Sequence, residues 1–481
     1  MRLAFCTARP STTTVPSRSP RVSEEHCDVR FPPADQRPLR RPGPTDAAAD
    51  RPRRRHGASD RHRRGGRVWR RHGAGGRDRA DRARDRDCGR GTYHHANPGS
   101  RRGLFADGQR IGLLQLSERT ITMTERKLGI GIIGAGGIAN GAHLPNYARN
   151  PRARLVAVAD INPEAARATA ERWGIPNHYA DYTELLANPE VEAVSVTTWA
   201  GAHADPVIAA AAAGKHIICE KPIATQLEDA DAMVAAAARA GVKFTMGYQP
   251  RFSLLWNTVK RLLDEGAIGD VQALNISSTA PSAHRTPWFL RKAQAGGGVL
   301  MDWGIYTAFM INWFMGPVER VYGTYRRFRK DSYAGGELVP DADVEDTVAA
   351  TLQFKSGAVG TWYSTWAATA RHGYTSIDGS LGSIQMRGGA SEGPSLFTTR
   401  FDEPEHLRGW RQLPLTELQN SEQHYRKLDH LIKAVLDDQP LVMTGADGRD
   451  ALELVLSIYR SAETAQPVKL PMVRELAGVG R

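Results

Sequence analysis

The sequence predicts an α/β protein, with a doubly wound parallel sheet first and then a second domain on a largely antiparallel sheet. Three observations predict it. Over residues 127–160 an isoleucine-rich run, a glycine turn, a helical stretch and a second β-branched run ending in an acid follow one another. Strand and helix patterns then alternate as far as Met246. After Gly247 the pattern changes to long strand-like runs with few helices between them.

Composition divides the 481 residues into two unlike pieces. Residues 1–122 hold 28 arginines, no lysine and 13 acidic residues, a net charge of +15. The remainder carries 36 basic and 39 acidic residues, a net of −3. The overall excess of +12 therefore belongs to the first piece and gives no reason to read the rest as nucleic-acid binding. An Arg/Pro/Gly/Asp-rich stretch such as 51–71 cannot bury enough apolar surface to offset its ordering entropy. Three readings stand: a basic tail that touches nucleic acid or anionic surfaces, a solvated tail without a partner, or a translation start assigned too early in GC-rich DNA. The third is favoured, because Met123 opens an ordinary start just ahead of the first strand. The domain boundaries expected are thus 1–122, 123–247 and 248–481. A chain beginning at Met123 is expected to bind its cofactor and melt like the full chain; loss of cofactor binding in a fluorescence titration would refute this.

Cys219 stands alone after residue 122, so the body forms no internal disulfide, which fits a reducing compartment. No run approaches the ~18 apolar residues of a membrane span, and no secretory pattern opens the chain. A cytoplasmic protein without membrane or nucleic-acid partners is expected.

In order, residues 128–133 read as a buried strand. It breaks at Gly134-Ala135-Gly136-Gly137-Ile138-Ala139, a G-x-G-x-x-A turn. Gly134 lets the chain turn sharply, Gly136 lets a pyrophosphate approach the backbone, and Ala139 lets the helix pack on the strand. The helix start offers N–H groups to phosphates. A second strand, 155–159, ends at Asp160, 21 residues after Ala139, where a carboxylate can accept from both ribose hydroxyls. Asn162-Pro163 starts a helix that Gly174 ends. Strands follow at 191–197, 216–219 and 242–246, and helices at the 209–213 alanine run and at 227–240. Beyond Gly247, Leu254, Leu255, Val259, Leu262 and Leu263 mark one helical face. Strands are expected at 271–278, 318–328, 344–354 and 358–366, helices at 424–436 and 449–464, and an extended end at 467–470.

Two constellations carry chemistry. Cys219-Glu220-Lys221-Pro222 lies at the carboxyl end of a parallel strand, the edge that lines the ligand crevice in open α/β sheets. Lys221 there binds a substrate oxygen or simply reaches water. Gly296-Gly297-Gly298 leads into Val299-Leu300-Met301-Asp302-Trp303-Gly304-Ile305-Tyr306. The glycines let the chain approach something closely. Asp302 and Tyr306 share a helix face at i, i+4 if the helix has begun by Asp302. With Lys221 they form a proton donor/acceptor set; equally, Tyr306 is core and Asp302 caps the helix.

Together these motifs resemble the glucose–fructose oxidoreductase/inositol dehydrogenase/rhizopine-catabolism (Gfo/Idh/MocA) superfamily, over roughly residues 127–470. Gly247-Tyr248-Gln249-Pro250-Arg251-Phe252 and Tyr459-Arg460-Ser461-Ala462 extend the resemblance. It implies a Rossmann domain followed by an α/β domain with an open, mostly antiparallel sheet, through which copies of the chain associate. It implies NAD-dependent hydride transfer to or from a secondary alcohol or aldehyde of a sugar or cyclic polyol. Lys221 would orient the reacting oxygen, and the Lys221-Pro222 bond would be cis.

Two departures stand out. Many members have histidine where this chain has Tyr306; tyrosine is similar to the glucose–fructose oxidoreductase, dihydrodiol and xylose dehydrogenase branch, where it is the acid/base. A free tyrosine titrates near ~10, so Lys221 and the nicotinamide charge are expected to lower it. The usual Thr-Pro-Asn loop reads Thr198-Trp199-Ala200, so Trp199 is expected on the cofactor; His203 keeps the family's histidine position.

The candidate catalytic residues are Lys221, Tyr306 and Asp302. Candidate cofactor contacts are Gly134, Gly136, Gly137, Ile138, Ala139, Asp160, Thr198, Trp199, His203, Glu220, Lys221 and Gln249. Candidate substrate contacts are Arg251 and Trp288, and no metal is expected. Asp160 would repel a 2′-phosphate and neither Ile161 nor Asn162 would hold one, so NAD is expected over NADP. The alternative, a non-catalytic dinucleotide sensor, is disfavoured by the presence of Lys221, Asp302 and Tyr306 together.

Overall fold

The computed structural model describes residues 126–281, 286–387, 393–399, 409–413 and 422–472. The arginine-rich segment 1–122 lies outside the described residues. The first sheet comprises β1 (Leu128–Ile133), β2 (Ala153–Ala159), β3 (Asn177–Tyr179), β4 (Ala193–Val196), β5 (His216–Cys219) and β6 (Phe244–Met246). All pairings are parallel, in the order β3-β2-β1-β4-β5-β6. The order reverses between β1 and β4, which opens a crevice at their carboxyl ends.

Helices α1 (Leu144–Ala148), α2 (Pro163–Trp173), α3 (Tyr182–Ala187), α4 (Ala204–Ala212) and α5 (Leu227–Ala240) cover this sheet. Asn162 caps α2 by accepting from the Glu164 and Ala165 amides, and Gly174 ends it at φ +64°. The sequence reading misses β3 and α3, whose mixed polar stretch shows no clear period.

The second domain begins with α6 (Leu254–Asp264), which buries Leu255, Val259 and Leu262 as their spacing predicts. Then come β7 (Val271–Thr279), α7 (Lys292–Ala295), a π-helical turn (Leu300–Gly304), α8 (Ile305–Met315) and β8 (Val318–Arg326). A small hairpin, β9 (Tyr333–Ala334) and β10 (Glu337–Leu338), precedes β11 (Thr347–Phe354) and β12 (Val359–Thr365). Next are β13 (His372–Gly379), β14 (Gly382–Arg387), β15 (Ser395–Thr398), β16 (Gly409–Gln412), α9 (Gln423–Leu436), α10 (Gly445–Thr464) and β17 (Val468–Lys469).

The large sheet runs β16-β15-β14-β13-β7-β12-β11-β8-β17. Its pairings are antiparallel except β7 with β12. One face packs on helices through Val321, Val348, Leu352, Trp362 and Ile377, all nearly or fully buried. The other presents Tyr322, Thr351, Thr361 and Asn275, which lie in register across four strands.

Two features bear on the site. Helix α9, which falls in the expected 248–481 segment, returns to the first sheet. Its Leu428, Leu431 and Ile432, at i, i+3 and i+4, pack with Leu128, Ile130 and Ile132 of β1. Helix α10 starts four residues earlier than expected, at a capping box in which Thr444 and Asp447 satisfy each other's backbone amides. Among the described residues no helix is long and apolar enough to cross a membrane.

Candidate active site

The turn after β1 has the form that a bound dinucleotide needs. Gly134 sits at φ +97°, and a Cβ there would lie 2.9 Å from the Thr197 carbonyl carbon and the Thr198 nitrogen, so the tight turn requires glycine. A Cβ on Gly136 or Gly137 would meet nothing within 4 Å, so the backbone there faces open space. Ala139 is fully buried under the turn and Ile138 is exposed. Asp160 lies at the end of β2, where its Oδ2 accepts from the Ala135 amide at 2.7 Å and its Oδ1 from the Asn162 amide at 2.8 Å. Each oxygen keeps a second lone pair. The sequence reading missed Asn140, whose Nδ2 donates to the Ala135 and Gly136 carbonyls at 2.8 and 3.3 Å and so braces the turn. These residues fit NAD: an open backbone cradle with a carboxylate beside it.

Lys221 follows β5, and its bond to Pro222 is cis, as expected. Its Nζ donates to the backbone carbonyl of Asp302 at 3.0 Å and to the Asp302 carboxylate. The same nitrogen lies 4.8 Å from the centroid of the Tyr306 ring. The helix has begun by Asp302, since the π-helical turn runs into α8, and Asp302 and Tyr306 both face Lys221. The three residues expected to act together are thus brought together.

Within the chain itself, the surroundings of Tyr306 raise its titration rather than lower it. Burial, with the Glu220 and Asp302 charges, pushes its phenol well above the ordinary value, opposed by the hydrogen bond to Gln249. Lys221 engages the ring face and Asp302 rather than the hydroxyl, which explains why no lowering results. Tyr306 therefore stands as a phenol, donating from Oη to Gln249 Oε1 at 2.9 Å. Gln249, expected on the cofactor, is the acceptor for this phenol. The ring of Tyr248, fully buried, packs edge-on against Tyr306 at 5.7 Å.

Other candidates are engaged by the chain itself. Glu220 turns inward: its Oε1 faces His143 Nε2 at 2.8 Å and pairs with Lys427 Nζ, so its carboxylate is spent in a buried cluster. Burial pushes this carboxyl up, but Lys427 and His143 overcome it and hold it well below the usual carboxylate range. His203 is 1% exposed, with Nδ1 2.8 Å from the Pro222 carbonyl and Nε2 3.1 Å from the Thr198 carbonyl. It braces the loops behind the site. Burial keeps it neutral, so one ring nitrogen donates at a time. The Arg251 guanidinium donates to the Val442 carbonyl and Asn257 and lies 4.4 Å over the Trp313 ring, so it packs the α6 side of the domain. Trp288 stacks on Phe289 at 3.8 Å in a short 3-10 turn.

Thr198 and Trp199 lie on the loop after β4, half-buried, with Thr198 Oγ1 donating to the Ala202 carbonyl at 3.0 Å. Beside Asp302, Trp303 makes an edge-to-face contact with Trp366 at 6.4 Å, and Arg371 lies 5.7 Å over its ring. No sequence signal marked this aromatic group, because its members come from separate elements. Among the described residues no group of three or more His, Cys, Asp or Glu side chains could hold a metal ion.

Comparison with known proteins agrees with this geometry. Residues 128–248 match the oxidoreductase family with an NAD-binding Rossmann fold, and residues 256–385 match the GFO/IDH/MocA C-terminal domain. The myo-inositol 2-dehydrogenase of Thermotoga maritima is 31% identical over 72% of this chain and 99% of its own. A levoglucosan dehydrogenase solved with NADH and L-sorbose superposes with a TM-score of 0.66, at 26% identity, covering 72% of this chain and 100% of that one. The aldose–aldose oxidoreductase of Caulobacter crescentus, complexed with glycerol, gives 0.61 at 30% identity, covering 72% and 100%. The cofactor is NAD and the protein is a dehydrogenase; the chain belongs to the Gfo/Idh/MocA oxidoreductase family.

Proposed function

We propose that this protein interconverts a secondary alcohol and its carbonyl on a sugar or cyclic polyol, with Lys221, Asp302 and Tyr306 as its proton-handling group. Bound NAD supplies the hydride acceptor or donor. The observation that carries the reading is the clamp of Lys221 on Asp302 with its ammonium over the Tyr306 ring. An ammonium has three donors, and Asp302 takes two, which leaves one for the reacting oxygen. Tyr306 accepts, as phenolate, the proton that the hydroxyl must lose, and gives, as phenol, the proton that the carbonyl must gain. The proposed cofactor contacts are the 134–139 turn, Asp160, and Thr198 with Trp199 on the facing loop. The named substrates of the relatives, an inositol and sugars, support the substrate class. The outward face of the large sheet, with Tyr322, Val359 and Tyr363 exposed, supports association with a second copy of the chain. Cys219, buried and the one cysteine among the described residues, suits a cytoplasmic setting.

The test is a panel of aldoses, anhydrosugars and inositols with NAD and NADP, followed by nicotinamide absorbance. Turnover of at least one member, faster with NAD at equal low concentration, is expected. Asp160→Ser with Ile161→Arg should shift preference toward NADP by removing the repelling carboxylate and adding a cation. Faster turnover by the unaltered protein with NADP would refute the cofactor assignment, and no turnover across the panel would count against the substrate class.

A further inference from the structure

We infer that Glu345 and Tyr459 are positioning residues that set the turn carrying Asp302 and Tyr306 onto Lys221. The inference rests on the proton-handling reading above and extends it to residues outside the site.

The triple glycine shows what holds that turn. Gly296, at φ +81°, ends α7. A Cβ on Gly297 would run into the Tyr459 hydroxyl, and one on Gly298 would run into the Glu345 carbonyl oxygen. The close approach that these glycines permit is therefore to the chain's own Glu345 and Tyr459. Glu345 is 6% exposed and its carboxylate receives three donors. Oε2 accepts from the Gly298 amide at 2.8 Å, and Oε1 accepts from the Leu300 amide at 3.0 Å and from Tyr459 Oη at 2.8 Å. The Val299 amide also donates to the Glu345 backbone carbonyl at 3.2 Å. A carboxylate is acceptor-only, so it matches three converging donors, and its charge suits the start of a helix.

This clamp leads directly to the site. The Asp302 amide donates to the Gly298 carbonyl at 3.0 Å, so the residue that Glu345 holds is the one on which Asp302 rests. Asp302 in turn holds Lys221. Tyr459 comes from α10 and is braced edge-on by Tyr325 at 5.6 Å. The chain of contacts Tyr459–Glu345–Gly298–Asp302–Lys221 fixes where the ammonium stands relative to the Tyr306 ring.

Tyr459→Phe keeps the ring and removes one hydrogen bond. With myo-inositol and levoglucosan as the reporting alcohols, kcat is expected to fall ~10-fold, while NAD affinity by fluorescence titration changes by less than about two-fold. Glu345→Gln should cost more, since an amide offers one acceptor oxygen to three donors. The deciding measurement repeats Tyr459→Phe in a Tyr306→Phe background. If Tyr459 acts by positioning the proton-handling group, the second change adds little. A folded Tyr459→Phe protein with unchanged kcat, or an equal loss that multiplies with Tyr306→Phe, would overturn the inference. Tyr306→Phe with normal kcat would instead sink the proton-handling reading together with what rests on it. A slow Tyr306→Phe beside a normal Tyr459→Phe would sink the positioning role alone.

Discussion

Tyr306→Phe is expected to lower kcat by ~10²–10⁴ while leaving NAD affinity nearly unchanged. The ring stays, so the edge-on packing with Tyr248 at 5.7 Å and the face beneath the Lys221 ammonium remain. The hydroxyl goes, and with it the proton that Tyr306 shares with Gln249. A carbon gives up hydride only as its hydroxyl loses a proton, so the loss falls on the chemical step. Lys221→Ala should be comparably damaging and the double variant little worse than either, because parts of one unit are not additive.

The pH dependence separates Tyr306 from Lys221 as the base. Burial and the nearby Glu220 and Asp302 charges raise the Tyr306 phenol, so the acid form prevails at neutral pH. Alcohol oxidation needs the phenolate, whose fraction grows tenfold per pH unit below the raised value. Oxidation should therefore climb with unit slope from neutral into alkaline pH. Carbonyl reduction needs the phenol, so it should be flat through neutral pH and fall only at high pH. In Tyr306→Phe the slope should vanish. A near-normal kcat in that variant, with chemistry shown to limit the rate, would pass the role to Lys221 or a water.

What the sequence made legible was local. The glycine turn could be read because only glycine meets the φ of +97° at Gly134 and leaves the backbone at Gly136 open. Asp302 and Tyr306 could be read because a helix places i and i+4 on one face. Glu220 could not be read: its neighbour Lys221 marks a site, but its partner Lys427 lies 207 residues away on a helix that crosses back to the first sheet. The contacts of His203 could not be read, because a histidine after a strand looks the same whether it faces a ligand or two backbone carbonyls. The purpose of the glycines at 297 and 298 depends on Glu345 and Tyr459, which no local pattern connects to them. The β13–β14 hairpin was missed because its one clear core pair, Ile377 opposite Ile384, sits among polar residues.

Lys427→Met is expected to destabilise the protein by ~3–5 kcal/mol at pH 7, the cost of stranding one partner of a buried pair. Lys427 is fully buried on α9, and Glu220 is 5% exposed at the end of β5. The remaining partner, His143, is kept neutral chiefly by its own burial, so at pH 7 it does not replace the charge that Lys427 gave. A drop in Tm on the order of 10 °C should follow. The sign of the pH response identifies the cause. In the unaltered protein Glu220 lies well below its ordinary value, so its contribution is present above pH ~4.5 and fades as pH falls through the lowered folded value. Without Lys427, burial dominates and Glu220 should move above its ordinary value. The folded variant then binds more protons than the unfolded chain, and its stability falls as pH rises from ~4.5 toward the raised value. The gap between the two proteins should therefore narrow as pH drops from 7 toward 5. Removing both charges, in Glu220→Gln with Lys427→Met, should recover most of the loss, because a neutral pair leaves no charge buried. Equal Tm values for Lys427→Met and the unaltered protein at pH 7, or a gap that widens on acidification, would show that this cluster does not hold α9 against the first sheet as described.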